Sequence, residues 1–268
     1  MLKKRIIFTL LYDNGYFMLS RNFRLQSVGD FCWLQKNYNF AQIAFYIDEL
    51  VVLDVTRGPR DIVRFAETLQ ALTGECFVPI AAGGGIRTLE QARYMLRSGA
   101  DKIVVNTLLF EGPEKVREMT SEFGQQCIVA SVDIKSVVGG PSRIYTSSGS
   151  QPLSGPVVDV LASLNEGWVG EIYLNSINRD GTGQGYDFSL LENLPHDFRL
   201  PVILAGGVGN ARHLIEGFID PRVNAVATAH LFNFIGDGLQ RARESLLAEG
   251  ASLASWPDRA TLKLKVSG

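Results

Sequence analysis

The chain has 268 residues, of which 46% are hydrophobic, and this suffices to bury the core of one barrel-sized domain rather than two. Its 26 basic and 28 acidic side chains nearly cancel, so no net field gathers nucleic acid or an anionic membrane. Any anionic ligand must therefore be held by a local site.

The first residues are basic, but the apolar run that follows them at 6–11 is too short for a signal peptide or a membrane span. A cytoplasmic protein is expected. Cys32, Cys76 and Cys127 are odd in number and show no CxxC spacing. Reduced core thiols are therefore expected rather than a disulfide framework or a zinc site.

Short apolar runs rich in β-branched residues recur along the chain, and each is followed by a loop and a stretch with helical period. Strands are predicted, in chain order, at residues 5–11, 49–55, 77–82, 102–105, 127–133, 171–175, 202–205 and 225–228. Their hydrophobicity is typical of parallel strands covered on both faces. Thr88 and Gln91 have the spacing of a capping box, and Gly99 follows as a helix stop. Eight alternating units favour a closed (β/α)8 barrel over a doubly wound sheet.

The two halves of the chain resemble each other, since residues 80–85 (IAAGGG) and 203–207 (ILAGG) each precede a predicted helix. A duplicated half-barrel explains this similarity, and chance or shared loop geometry is the alternative. We predict one barrel domain over residues 1–250 and a tail over residues 251–268. The tail alternates apolar and basic residues at 262–266, as either an edge strand or a contact segment would.

Two predicted connections are long for a barrel, at residues 12–30 and 134–156. Loops of this length are usually functional or mobile. Within the second loop, residues 142–147 are suited to a small hairpin, with Gly139 and Gly140 or Gly149 in its turns.

The active sites of such barrels lie at the carboxyl ends of the strands. Asp54 ends the second predicted strand, Asn106 and Thr107 follow the fourth, Asp133 ends the fifth, and Asp180 comes shortly after the sixth. A single aspartate at this position is more often a helix cap. Several carboxylates at one mouth favour a functional site.

Glycine clusters at the turns after the third and seventh strands indicate phosphate binding. Without a Cβ, backbone N–H groups can close on a phosphate, and the following helix N-terminus adds partial positive charge. Each cluster alone is equally suited to a tight turn. Together they predict two phosphate cradles facing each other across the mouth, formed by Gly84, Gly85, Asn106 and Thr107 and by Asp180, Gly181, Gly206 and Gly207.

Four charged residues of alternating sign stand at the starts of predicted strands one, two, four and six: Arg5, Glu49, Lys102 and Glu171. They are either ordinary strand-end charges or a closed ring of salt bridges around an axial passage.

The three histidines, His196, His213 and His230, have no metal-ligand spacing, and no Ser or Cys lies in a nucleophile-elbow motif. We therefore predict no metal, no cofactor and no covalent chemistry. His196 and His213 are expected at the surface, and His230 lies near the end of strand eight.

Up to about residue 250, the chain resembles the cyclase subunit of imidazole glycerol phosphate synthase, the HisF family. The matching segments are residues 1–7, 48–54, 83–86, 99–102, 106–107 and 171–182. The resemblance implies that a glutaminase subunit docks at the barrel bottom and that ammonia enters through a gate formed by the four charged residues. It also implies that Asp133 is one of two essential acid–base aspartates, and that the two phosphate sites use Gly85, Asn106 and Thr107 and Asp180, Gly181 and Gly207.

The sequence departs from this family at the active face, whereas the four gate residues match. Leu11 stands where the second essential aspartate is expected, Leu19 replaces a loop lysine, and His230 replaces a serine of the second phosphate site. Leucine cannot transfer a proton, and loss of such a group typically costs ~10²–10⁴-fold in rate. The pattern resembles cyclase-like proteins of bacterial surface-polysaccharide loci. There a barrel, a glutaminase and an amidotransferase convert an acetamido group of a nucleotide sugar into an acetamidino group.

The leading hypothesis is an ammonia-accepting synthase subunit for acetamidino modification of a nucleotide sugar in lipopolysaccharide or O-antigen biosynthesis. Its partners would be a glutaminase, a further amidotransferase and a phosphorylated small molecule or nucleotide sugar, with no nucleic acid and no membrane. One alternative is a histidine-pathway cyclase in which Tyr12 or Asp13 replaces the missing acid. A second is a non-catalytic ammonia-channelling scaffold. A third, an unrelated phosphate-binding isomerase, leaves the four alternating charges unexplained.

Overall fold

A computed structural model describes residues 3–38, 43–137, 139–229 and 238–254. Its strands are β1 (Arg5–Asp13), β2 (Tyr16–Arg21), β3 (Arg24–Gly29), β4 (Glu49–Asp54), β5 (Ile80–Gly83), β6 (Lys102–Val105), β7 (Ile128–Lys135), β8 (Arg143–Thr146), β9 (Gln151–Pro152), β10 (Glu171–Ser176), β11 (Val202–Ala205) and β12 (Ala225–Thr228). Its α-helices are α1 (Phe31–Tyr38), α2 (Ile62–Glu75), α3 (Leu89–Arg97), α4 (Leu108–Glu111), α5 (Pro113–Phe123), α6 (Val157–Leu164), α7 (Ala211–Ile219) and α8 (Gly238–Ala248).

Eight parallel strands close into a barrel in the order β1, β4, β5, β6, β7, β10, β11, β12. Closure is complete because β10 pairs with both β7 and β11, and β12 pairs with β1. The predicted single-domain (β/α)8 barrel is confirmed, and all eight predicted strands belong to it. The third strand was predicted too early, since it begins at Ile80 and not at residue 77. Pro79 precedes it and has no N–H to donate to a strand ladder.

Alternate residues of the strands point into the barrel and out toward the helices, which explains their nearly continuous hydrophobicity. The inward residues form a small apolar cluster around Ile7, Val51, Val104 and Ile203. The outward residues join the larger core beneath the helices. Both faces of the barrel wall are therefore buried.

The long connection after strand one is not a loop, which corrects the prediction for residues 12–30. β1 runs on to Asp13, turns at Asn14 and Gly15, which both have positive φ, and pairs antiparallel with β2. β2 in turn pairs with β3, so the connection is a hairpin. Asn-Gly is the residue pair that two-residue hairpin turns favour.

The second long connection contains the predicted hairpin. β8 pairs antiparallel with β7 and then with β9, and the turn before β9 passes through Ser147, Ser148 and Gly149 at positive φ. β8 and β9 therefore extend the sheet from the carboxyl-terminal part of β7.

Local helix signals are also present. The Thr88 side chain accepts a hydrogen bond from the Gln91 backbone N–H, and the Gln91 side chain accepts one from the Thr88 backbone N–H, so the capping box of α3 is confirmed.

None of the helices in the described ranges is long and apolar enough to cross a membrane. Residues 255–268 of the predicted tail lie outside those ranges.

The three cysteines are free, as predicted, but they are not all core thiols. Cys76 is buried, Cys127 is intermediate and Cys32 is exposed. Cys32 lies on α1, whose apolar face is supplied by its neighbours instead: Leu34 is fully buried and Phe31 packs on the core.

Candidate active site at the barrel mouth

The carboxyl ends of the barrel strands surround a cavity of about 600 Å³. Of the residues predicted at the mouth, all nine cradle and acid–base residues contribute to its lining: Gly84, Gly85, Asn106, Thr107, Asp133, Asp180, Gly181, Gly206 and Gly207. Asp54 lines it as well. Parallel strands bring these residues together because their carboxyl ends all open on the same rim.

Asp133 lies near the end of β7 and is held by two amides. Its Oδ1 accepts a hydrogen bond from Asn175 Nδ2 at 2.9 Å, and its Oδ2 accepts one from Asn106 Nδ2 at 3.0 Å. Burial raises the pKa of this carboxyl to about 6, against the opposing effect of the Asn175 hydrogen bond and with a further rise from nearby Asp180. Such a carboxyl can both accept and donate a proton near neutral pH.

The glycine turns are built as close backbone approaches. Gly84 has φ 104°, and a Cβ on it would lie 2.0 Å from the Asp54 carbonyl oxygen. Gly207 has φ 101°, and a Cβ there would lie 2.1 Å from the Gly185 carbonyl oxygen. Both the conformation and the space therefore require glycine.

The side chains next to the first turn are already engaged. Asn106 directs its amide toward Asp133 and toward the Ser131 carbonyl, and Thr107 Oγ1 accepts a hydrogen bond from the Ser147 N–H at 3.2 Å. Asn106 thus helps to position the carboxyl of Asp133. Both amide hydrogens of Asn106 are thus engaged, so this side chain offers no donor to a phosphate at the turn.

Asp180 anchors the β2–β3 hairpin across the mouth. Its Oδ2 accepts hydrogen bonds from Ser20 Oγ at 2.5 Å and from the Phe23 N–H at 2.9 Å. The Asn22 N–H donates to the Asp180 carbonyl at 2.9 Å. Burial raises the pKa of the Asp180 carboxyl. No local sequence pattern indicated these contacts, since the partners are about 160 residues apart.

Leu11 faces the cavity from β1, beside Leu53 on the paired strand. The two polar neighbours that the cyclase alternative proposes in place of the missing acid point elsewhere. Tyr12 is buried in the outer core against Phe65, and Asp13 accepts a hydrogen bond from Thr56 Oγ1 at 2.9 Å.

Sequence reasoning missed two polar residues inside the barrel below Asp133. Thr9 and Tyr173 form a buried hydrogen bond between their hydroxyls at 3.0 Å. Both line the floor of the cavity. Each lies two residues before a mouth position on its strand, Leu11 or Asn175, and the two-residue strand period would have identified them.

At the other end of the barrel, the four charged residues form a closed ring, hereafter the charged ring. Arg5 contacts Glu49 and Glu171, each at 2.5 Å, and Lys102 contacts the same two carboxylates at 2.9 and 2.6 Å. Both carboxylates are buried, and both cations are partly exposed. Burial opposes the charge of Glu171, but Arg5 and Lys102 outweigh it and hold its pKa below the usual value.

The two histidines that the structure describes show no metal-site arrangement. His196 is exposed, whereas His213 is half-buried, with Nδ1 accepting a hydrogen bond from the Gly209 N–H at 3.0 Å. His230 lies outside the described residues. Within the described ranges, no group of three or more His, Cys, Asp or Glu side chains is placed to hold a metal ion.

Comparison with known proteins relates this arrangement to a family. The profile of a family described as "Histidine biosynthesis protein" matches residues 24–236. The chain is 46% identical over 258 residues to a protein of Parasynechococcus marenigrum provisionally named imidazole glycerol phosphate synthase subunit hisF2, and the match covers 96% of each chain. It is 34% identical over 254 residues to the imidazole glycerol phosphate synthase subunit HisF of Chlorobaculum tepidum, covering 94% of this chain and 99% of the relative.

Proposed function

Since the chain belongs to the histidine biosynthesis protein family, and within it is similar to HisF subunits, we propose that it is a synthase subunit that receives ammonia from a separate glutaminase. The ammonia would enter through the charged ring and travel along the barrel axis to the mouth. There it would serve the acetamidino modification of a nucleotide sugar in surface-polysaccharide biosynthesis. A further amidotransferase would carry out the exchange of the acetamido oxygen for nitrogen.

The observation that carries this proposal is the contrast between the two ends of the barrel. The charged ring is complete, with two buried carboxylates each bound by two cations. At the mouth, two amides hold Asp133, which is one of the two acid–base aspartates that the family resemblance implies, and Leu11 stands at the position of the other. Retaining the entrance while losing half of the acid–base pair is expected of a subunit that delivers ammonia but closes no imidazole ring.

The barrel interior supports passage of neutral ammonia. Immediately above the charged ring lie apolar side chains, including Ile7, Val51 and Val104. An ammonium ion would lose its hydration there without compensation, whereas neutral ammonia loses far less. Above this layer, the hydroxyls of Thr9 and Tyr173 offer hydrogen-bonding groups just below the cavity.

The alternative of a true cyclase draws its support from Asp133, whose pKa of about 6 suits acid–base chemistry. The structure does not support Tyr12 or Asp13 as the replacement acid that this alternative needs. Tyr12 is buried away from the cavity, and Asp13 is hydrogen-bonded to Thr56. In the scaffold alternative, the barrel only activates the glutaminase and passes ammonia onward, so Asp133 would have no role in product formation.

A cyclase assay separates these functions. The purified chain is given the histidine-pathway bisphosphate precursor and excess ammonium salt, so that no glutaminase is needed. We expect no turnover. Rates in the ordinary enzyme range of ~1–10³ s⁻¹ would instead establish a cyclase and overturn the proposal.

The positive test is transfer of label in the reconstituted complex of barrel, glutaminase and amidotransferase. With amide-¹⁵N glutamine, the acetamidino product should carry ¹⁵N even when unlabelled ammonium is present in the buffer. Label that equilibrates fully with the buffer would show that ammonia is released rather than channelled. Replacing Asp133 by Asn in the same complex tests the scaffold alternative, which predicts unchanged product formation.

A further inference from the structure

The mouth cavity ends at one layer of inward-facing side chains. Among the residues that the structure describes, the lining begins on five barrel strands at Thr9, Val104, Ser131, Tyr173 and Ala227. The inward-facing residues two positions earlier on the same strands do not line it: Ile7, Lys102, Val129, Glu171 and Ala225. This layer therefore separates the cavity from the barrel interior above the charged ring.

Tyr173 is the largest side chain of this layer, and it crosses the barrel. Its strand, β10, is separated from β1 by β11 and β12, yet its hydroxyl lies 3.0 Å from the hydroxyl of Thr9 on β1. The inward-facing residues of the two intervening strands include Ala205 and Ala227, whose short side chains leave room for the phenol. The ring of Tyr173 therefore lies across the passage between the charged ring and the cavity.

A single neutral hydrogen bond fixes the phenol in this position. Both Thr9 and Tyr173 are buried, and within the described ranges each hydroxyl has the other as its hydrogen-bond partner. Burial raises the pKa of the Tyr173 hydroxyl, so it stays protonated at neutral pH. Neutral hydrogen bonds are about half as strong as those that involve a charged group. This contact can therefore open at moderate cost.

The phenol has space to move on one side only. Below it, four fully buried side chains pack together in the apolar cluster: Ile7, Ala81, Val129 and Ile203. Above it lies the cavity of about 600 Å³. If the bond to Thr9 breaks, the ring can turn toward the cavity, and this movement uncovers the apolar layer beneath it.

We propose that Tyr173 is a gate in the axial passage, closed while its hydroxyl is bonded to Thr9 and open when the phenol turns into the cavity. The inference rests on the proposed function, since it concerns the path of ammonia through the barrel. The closed gate keeps cavity water out of the apolar layer, where contact with water would convert ammonia into ammonium. During passage, ammonia can accept a hydrogen bond from one hydroxyl and donate one to the other, which offsets the broken bond.

The test places a thiol directly below the gate. Ala81→Cys puts a cysteine in the apolar layer, and methyl methanethiosulfonate, a small neutral reagent, measures its accessibility in the purified chain. Tandem mass spectrometry assigns the modification to residue 81. Ala229→Cys is the matched control, because Ala229 lines the cavity above the gate and is partly exposed. The thiol at residue 81 should react at least about tenfold more slowly than the control, since it requires a local opening. Equal rates would overturn the proposal.

Two variants break the bond without removing bulk. Thr9→Val and Tyr173→Phe each keep the shape of the side chain and leave the other hydroxyl unpaired, so each should accelerate modification of Ala81→Cys by about tenfold. Replacing both partners by apolar groups of the same shape is nearly neutral. The double variant should therefore react no faster than either single variant. Rates that multiply would show that the two hydroxyls act independently and would contradict the gate.

Tyr173→Ala removes the gate, so the rate at residue 81 should approach that of the Ala229→Cys control. A thiol that stays protected would show that the apolar layer closes the passage by itself. Cys76, which is buried in the outer core, reports unfolding in the same sample. If Thr9→Val and Tyr173→Phe accelerate modification of Cys76 as much as that of residue 81, the bond only stabilises the fold and the proposal fails.

These measurements need no glutaminase, ammonia or substrate, so their failure is distinguishable from failure of the proposed function. Label transfer in the complex together with an unprotected thiol at residue 81 would refute the gate alone. Protection that depends on Tyr173 together with cyclase turnover would refute the proposed function and leave the gate standing.

Discussion

Asp133 combines a buried carboxyl with two amide donors, and its raised pKa has a consequence for stability. Between the ordinary value of 3.8 and about 6, the native state binds more protons at this carboxyl than the unfolded chain does. The free energy of unfolding therefore falls as the pH rises through this range, by about 3 kcal/mol at most, and levels off above it.

Asp133→Asn removes this titration, so urea unfolding of the wild type and the variant should diverge with pH. From pH 4 to pH 7 the stability difference should move in favour of the variant by about 2–3 kcal/mol. At any one pH, the difference in unfolding free energy between the two proteins also includes the cost of turning the new amide N–H₂ toward the amide donor of Asn106 or Asn175. This cost does not depend on pH. A difference that stays constant between pH 4 and pH 7 would show that Asp133 is not the buried titrating group.

Leu11 and Leu53 face the same cavity from paired positions on β1 and β4, which makes them a matched pair for substitution. Leu11→Asp restores a carboxyl at the strand-one position, and we expect it to create cyclase activity where the wild type has none. A gain of about 10²-fold over background is the lower end of what one acid–base group contributes. Leu53→Asp should give no gain.

The assay is again the histidine-pathway bisphosphate with ammonium salt. Activity in the wild type that Leu11→Asp does not increase would indicate that another group already serves as the acid. Equal gains in both variants would show that a carboxyl anywhere on this wall suffices, and would remove the special role assigned to position 11.

Residues such as Asp133 were predictable because they directly follow apolar runs, and barrel geometry brings the carboxyl ends of all strands to one rim. The hydrogen-bond partners of these residues could not be predicted. The bond between Ser20 and Asp180 depends on where the hairpin folds, and no local pattern in the sequence encodes a contact across about 160 residues.

At the scale of elements, the β2–β3 hairpin is the part of the fold that the sequence analysis missed. The eight barrel strands could be predicted because both of their faces are buried and their sequences are continuously apolar. β3 is largely exposed and polar, so it lacks that signal. The Asn14-Gly15 pair is a clue only to the preceding turn, between β1 and β2. The turn between β2 and β3 passes through Asn22 and Phe23, and Phe23 is an unusual residue at positive φ.

The hairpin is held over the mouth by a charge-assisted contact that can be removed singly. Ser20→Ala abolishes the hydrogen bond to Asp180 Oδ2. Hydrogen bonds to charged groups contribute about 1.5–3 kcal/mol, so local opening of the hairpin should become at least about tenfold more frequent. Hydrogen exchange of the peptide covering residues 16–29, followed by mass spectrometry, measures this directly.

Ser27→Ala, at an exposed serine on β3, provides the control and should leave exchange of the same peptide unchanged. The melting temperature of Ser20→Ala should remain close to that of the wild type, because the barrel core does not involve the hairpin tip. Unchanged exchange in Ser20→Ala would mean that the remaining contacts of Asn22 and Phe23 hold the hairpin by themselves.

At the scale of the whole molecule, the charged ring depends on barrel closure. Its four residues begin strands β1, β4, β6 and β10, and they meet only because the sheet returns on itself through β7 and β10. The sequence could predict the alternating signs but not whether the ring was closed. Each buried carboxylate is bound by both cations, so loss of one cation leaves two carboxylates sharing the other.

Lys102→Met therefore tests the ring as an entrance. Removing the ammonium group leaves the buried carboxylates of Glu49 and Glu171 with Arg5 alone, and breaking a buried pair in this way is costly, about 3–5 kcal/mol. The ring should lose its fixed geometry. In the complex reconstituted with amide-¹⁵N glutamine, the fraction of glutamine nitrogen that reaches the product should fall several-fold, while product formation from ammonium salt should persist.

Lys115→Met, at an exposed lysine on α5, is the matched control and should leave the transferred fraction unchanged. The ratio of glutamine-supported to ammonium-supported product is the informative quantity, because a general loss of folded protein lowers both rates equally. If Lys102→Met lowers both rates by the same factor, the ring acts only as a structural plug at the barrel bottom. A selective loss of the glutamine-supported rate, with glutamine hydrolysis and complex formation unchanged, requires that ammonia pass the ring, since Lys102 lies at the opposite end of the barrel from the mouth.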